Sequence, residues 1–265
     1  MIRGWLAELY RRDRILTIAG WVMIGLFVAM LFVAPFDHRQ VRGLNPYIKP
    51  MKFTLSVAAY LWSVAWFMGY LSRPRWLLAG LRWAIAIVMI LEIGLIILQA
   101  VRGTTSHYNC STAFDCRVFN WMGMMIALNS VFIAVLFVVL LQPLPALAPA
   151  YRWGIRIGVL VLLLGSGEGT VMITNMAHTV GAPDGGPGLP LLNWSTSAGD
   201  LRIAHLLALH GLQLIPLAGW MISRLSKTAS PARQVAAVVA FSILYVAVTF
   251  VLYRQALSGH PFLSL

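Results

Sequence analysis

Hydrophobic positions in this chain fall in long blocks separated by short polar segments. Apolar stretches of about 20 residues, the length that crosses a bilayer core, recur from end to end. Seven of them read as membrane spans, at about 15–35, 53–72, 81–101, 118–141, 154–176, 201–223 and 233–255. No segment between them is long or polar enough for a separate soluble domain. The pattern predicts an all-α, polytopic transmembrane helical bundle, a single domain over 1–265. The opening MIRGWLAELYRRDR leads into an apolar run longer than a signal peptide with no small-residue cleavage pattern, so it reads as an uncleaved first span.

Composition agrees with the pattern. Sixty per cent of the residues are apolar and 11% are charged, against about 25% charged in a soluble domain. The net charge of +12 does not point to nucleic acid, because basic residues in membrane proteins gather in the loops that stay inside. With the N-terminus inside, Arg3, Arg11, Arg12, Arg14, Arg73, Arg75, Arg82, Arg152, Arg156, Arg224, Lys227 and Arg233 lie on the inner side, 12 against 8 outside. The C-terminus is then outside. Cys110 and Cys116 share one outer loop, where a local disulfide can persist. All six histidines fall outside or in the outer half. Trp5, Trp76, Trp83, Trp153 and Trp194 sit near span ends, as an interfacial belt would place them.

Ionisable residues inside spans are costly and usually face a bundle interior or a cavity. Glu92 is in the third span, Glu168 in the fifth, and His205 and His210 in the sixth. At 1.5 Å per residue, Glu92, Glu168 and His210 each lie roughly 13–15 Å below the outer surface. That shared depth predicts one outward-facing chamber. Gln99 and Asn175 each follow a Glu by seven residues, on the same helical face about two turns on. Arg202, His205, His210 and Gln213 fall within an arc of about 140°, and His107 and His178 follow the third and fifth spans directly. The His205/His210 spacing of five excludes the i,i+4 pair of a zinc-binding protease helix. A buried Glu can also be merely structural, bonded to a neighbouring helix.

The loop GAPDGGPGLPLLNWSTSAGD (181–200) is too rich in Gly and Pro for regular structure, yet too apolar at Leu189, Leu191, Leu192 and Trp194 for a free linker. It is expected to fold back as a cap, with Asp200 as N-cap of the sixth span. Lys49, Lys52, Arg102 and Arg202 stand near the outer mouth, against the positive-inside tendency, and suit lipid headgroups or an anionic ligand.

The segments NPYIKPMKF (45–53), RGTTSHYN (102–109), PDGGPGLPLLNWS and GDLRIAHLLALH (183–210) resemble a family of bacterial multi-pass membrane proteins of about seven spans. The resemblance implies a bacterial inner-membrane setting and brings no activity, cofactor or site with it. The final span has no lysine for a retinal Schiff base.

Three functions fit the residues. The first is a redox protein acting on a lipid-soluble or quinone-like substrate. Glu92, Glu168 and His210 would be catalytic ligands of non-haem iron, completed by His205, His178 or His107 and oriented by Gln99 and Asn175. Haem b is the variant, with two imidazoles as axial ligands and Arg102 or Arg202 at its propionates; zinc comes third. The second function is a proton- or ion-coupled transporter using Glu92 and Glu168. The third is a metal-dependent lipid-modifying hydrolase. Partners on any reading are the bilayer and a hydrophobic or anionic small molecule.

Overall fold

The computed structural model describes residues 2–72 and 74–263, with side chains from residue 4 onward; Arg73 and the Arg3 side chain lie outside them. Among the described residues the regular structure is helical apart from one two-residue strand pair. Six helices among the described residues are long and apolar enough to cross a membrane, beginning at Arg14, Arg75, Ala113, Pro149, Leu201 and Pro231. A further helix of 21 residues, Ile48–Met68, corresponds to the second expected span. It has the length to cross but is diluted by Lys49, Lys52, Thr54, Ser56, Tyr60 and Ser63, and it is not among the six. Many large apolar side chains point outward, among them Phe32, Trp76, Ile243 and Val251. In water that surface would be a liability; against lipid it is matched.

The chain divides into two compact units, Met1–Leu136 and Phe137–Leu265. The first holds α1 (Ile2–Arg12), α2 (Arg14–Val33), α3 (Ile48–Met68), α4 (Arg75–Val101) and most of α5 (Ala113–Leu140). In α1, Glu8 pairs with Arg11 and Arg12, and Arg12 also lies over the rings of Trp66 and Tyr70 near the end of α3. Buried Asp13 caps α2 through Leu16 N and meets Arg82 of α4 at 3.2 Å. α3 packs closely on α2 because Gly20 has no side chain to collide with the Trp62 indole.

The second unit holds α6 (Pro149–Asn175), α7 (Leu201–Leu225) and α8 (Pro231–Leu257). α6 and α7 meet along small residues. Gly154, Gly158 and Gly165 face Ile215, Gly211, Pro216 and Ala208, at distances where a Cβ on any of these glycines would crowd the partner helix. Such small-residue seams are a common way for helices to associate in lipid, where no hydrophobic effect drives them together. Tyr245 of α8 donates to Leu207 O of α7 at 2.6 Å.

The segment between α6 and α7 is folded. β1 (Thr179–Val180) pairs antiparallel with β2 (Gly199–Asp200). Gly199 lies so close to Ala256 O of α8 that no side chain would fit there, and the Trp194 ring meets Phe262 edge-on. The sequence-based cap is therefore an ordered structure resting on the end of α8. Asp200 caps α7, accepting from Arg202 N at 3.0 Å.

Candidate functional site

In the first unit, Glu92 lies on the buried side of α4, only 3% exposed. Its Oε2 has no hydrogen-bond partner among the described residues. Lys49, in the first turn of α3, is the cation within electrostatic reach of it. Lys49 Nζ lies 3.2 Å from His107 Nδ1. An ammonium group can only donate, so Nδ1 accepts and a neutral imidazole carries its proton on Nε2. The His107 ring packs at 5.8 Å from Phe53 and at 6.0 Å from Tyr108, and Ser106 Oγ is 3.0 Å from Nδ1. Ammonium and imidazole thus meet at the start of α3 and the loop after α4, with the Glu92 carboxyl within electrostatic reach of the ammonium.

The Gln99 and Arg102 side chains have a different partner. Both reach Asp115 of α5, Gln99 Nε2 at 2.9 Å and Arg102 through an ion pair, and Arg102 also donates to Gln99 Oε1. Asp115 further accepts from the Thr112 hydroxyl at 2.6 Å and the Ser111 hydroxyl at 3.3 Å, and its own N–H donates to Thr112 Oγ1. This carboxylate is saturated. The sequence reading missed it, although the T-x-x-D spacing of a helix start was there to find. Nearby, Cys110 and Cys116 form the disulfide that the loop allows.

In the second unit, Glu168 Oε2 is also buried without a hydrogen-bond partner among the described residues. Val161, two turns earlier on the same face of α6, packs where a Gly211 side chain would be, with Tyr245 on the other side. Glu168 therefore belongs to the face of α6 towards which α7 and α8 converge. The two histidines of α7 separate. His205 Nδ1 meets Gly165 O at 2.9 Å, against α6. His210 stands about 160° round the helix from Ala208, which faces α6, and its Nδ1 meets Gln213 Oε1 at 3.2 Å. Asn175 ends α6 exposed.

His178 and Arg202 serve the cap. Asp184 accepts from His178 N at 3.0 Å, Thr179 N at 2.9 Å, His178 Nδ1 at 2.6 Å and the Thr179 hydroxyl. Burial alone would raise the Asp184 carboxyl, but His178 and Thr179 together hold it well below the usual carboxylate range. Arg202 binds Asp200 through Nε at 2.9 Å and also reaches Asn193 O. Asp184, like Asp115, carries no periodic signal and went unrecognised in the sequence.

The structure thus brings together Lys49 and His107, with Glu92 within electrostatic reach of Lys49; Gln99, Arg102 and Asp115; His178 and Asp184; and Arg202 and Asp200. His205 lies against α6 beside Gly169, the residue after Glu168, while His210 stands about 140° round α7 from His205. Glu92 belongs to the first unit and Glu168 and His210 to the second, so their common layer is a matter of sequence spacing alone. Among the described residues no three His, Cys, Asp or Glu side chains come together in a way that would hold a metal ion. No family model, curated protein or solved structure matches the chain. What the site chemistry defines is a multi-pass membrane protein with two acids inside apolar helices, Glu92 and Glu168, each with one oxygen lacking a hydrogen-bond partner among the described residues.

Proposed function

We propose that this is a seven-span protein of a bacterial inner membrane that moves protons, alone or coupled to a solute, through Glu92 and Glu168. The observation carrying the reading is that each carboxylate keeps one buried oxygen without a hydrogen-bond partner. Burying a polar atom unpaired costs about 1–3 kcal/mol. Asp115 avoids that cost, and Asp13, whose Oδ2 also lacks a hydrogen bond, sets against it an ion pair with Arg82. Carboxylates at membrane depth are the usual proton carriers of pumps and transporters. Lys49 and His107 extend the Glu92 site towards the disulfide loop and supply an exchangeable proton at each step. The separation of His205 from His210 gives the iron or haem centre less support than the proton reading.

In this topology α3 is the seventh span, the N-terminus is inside, and the disulfide loop and the cap are outside. The excess of basic residues on the inner segments and the cystine in the loop after α4 support it.

The test is proton entry into liposomes that contain the full chain, potassium and a pH-sensitive dye, driven by a valinomycin potential. Flux several-fold above protein-free liposomes is expected, falling to the protein-free level in Glu92→Gln and in Glu168→Gln. Flux unchanged by both substitutions overturns the reading. So does protein, purified without chelators, whose bound iron or Soret absorption both substitutions remove; that result returns the site to redox chemistry.

A further inference from the structure

A second feature of the first unit lies apart from Glu92, Lys49 and His107. Between α4 and α5 runs a cleft of about 630 Å³, lined by Ile90, Leu91, Leu95, Phe114, Trp121 and Met125. Its walls are almost wholly apolar, and Gly94 opens its floor, since a Cβ there would meet nothing within 4 Å. From Phe114 to Met125 is eleven residues of helix, about 16 Å. That is about half of the ~30 Å hydrocarbon core, the depth of one leaflet.

The end of the cleft nearest the disulfide loop is cationic. Arg117, one turn into α5, lines the cleft, is exposed and makes no hydrogen bond or ion pair among the described residues. Close by, the Arg102 guanidinium lies 4.6 Å above the Phe114 ring, although its own hydrogen bonds go to Gln99 and Asp115. An apolar trough one leaflet deep with an unengaged guanidinium at its mouth matches an amphiphile with an acyl chain and an anionic head. Arginine suits a phosphate because its planar fork binds two oxygens at once.

We propose that the α4–α5 cleft is a binding site for an anionic phospholipid of the leaflet on the disulfide-loop side, its phosphate on Arg117 and one acyl chain along Leu91, Gly94, Leu95 and Trp121. The site is independent of the proton reading. Leu91, Trp121 and Arg117 give it depth, a wall and a charge, and Glu92, Lys49 and His107 take no part.

The experiment is native mass spectrometry of the full chain released from detergent with added phosphatidylglycerol or phosphatidylcholine. The wild type is expected to retain one phosphatidylglycerol in clear preference to phosphatidylcholine. Arg117→Gln should weaken that preference about fivefold, the size of one surface cation's attraction to anionic lipid, while Arg117→Lys retains most of it. Gly94→Leu, whose Cβ meets nothing within 4 Å and whose side chain enters the trough, should remove the bound lipid; circular dichroism and thermal unfolding verify that this variant is folded. Equal retention of the two lipids by the wild type overturns the proposal. So does phosphatidylglycerol retention unchanged by Arg117→Gln, or by a folded Gly94→Leu.

Discussion

The buried acids of the α4–α5 and α6–α7 connections and those inside the spans are treated in opposite ways. Between them stands Asp13, the cap of α2, which has one oxygen without a hydrogen bond but sets it against Arg82 in an ion pair. Asp115, Asp184 and Asp200 each accept several hydrogen bonds, and Asp115 and Asp200 also carry an arginine. Glu92 and Glu168, in the middle of α4 and α6, each keep an oxygen with no partner among the described residues. Saturated acids hold loops and helix starts in place. Unsaturated ones cost stability where they stand, so a protein retains them for something other than architecture. The contrast separates the structural chemistry of this chain from the working chemistry.

Substitutions should divide along the same line. Asp200→Ala is expected to have the largest structural effect, about 3–5 kcal/mol, because it strands the part-buried Arg202 and removes the cap of α7. Thermal unfolding in detergent would show it; a loss below about 1 kcal/mol would mean that water replaces the carboxylate. Asp115→Asn should follow at about 2–3 kcal/mol, leaving Arg102 without its carboxylate. Glu92→Gln and Glu168→Gln should shift stability by less than about 1 kcal/mol in either direction, since the amide replaces an oxygen that had no partner.

Acid sharpens the comparison further. The Asp184 carboxyl lies lower in the folded protein than in the unfolded chain. Its stabilisation is therefore complete above the unfolded value of about 3.9 and is lost as pH falls through the folded one. Pepsin cleavage at Leu189–Leu192 should accelerate as pH drops below about 4, and Asp184→Asn should already be cut quickly by chymotrypsin at neutral pH. Cap cleavage that ignores both pH and substitution would remove Asp184 as its anchor. The smallest expected effect is at His178→Gln, which keeps a side-chain donor for Asp184 and should loosen the cap by about 1 kcal/mol.

What the sequence made legible follows from what hydropathy measures. Apolar blocks located the helices, and Asp200 placed the start of α7 at Leu201. Elsewhere the helices run past the apolar blocks. α5 starts at Ala113 rather than about 118, because Thr112 and Asp115 cap it. α6 starts at Pro149 rather than about 154, since proline suits the first helical turn. α3 starts at Ile48, with Lys49 and Lys52 in its opening turns where hydropathy sees loop. Lys49 is also the residue that meets His107 and comes within electrostatic reach of Glu92, and no spacing rule connects positions 49, 92 and 107. Such contacts between distant segments are set by packing. The α7 histidines show the same limit from the other side: a shared arc on a helical wheel does not say which neighbour each meets, and packing sets His205 on Gly165 O and His210 on Gln213.

The most direct measurement is proton flux per folded molecule in the same liposomes for Glu92→Gln beside Asp115→Asn. Glu92→Gln should be as stable as the wild type and carry no flux, while Asp115→Asn should be less stable and carry wild-type flux. Loss of flux in Asp115→Asn with retention in Glu92→Gln would contradict the division between architectural and working acids.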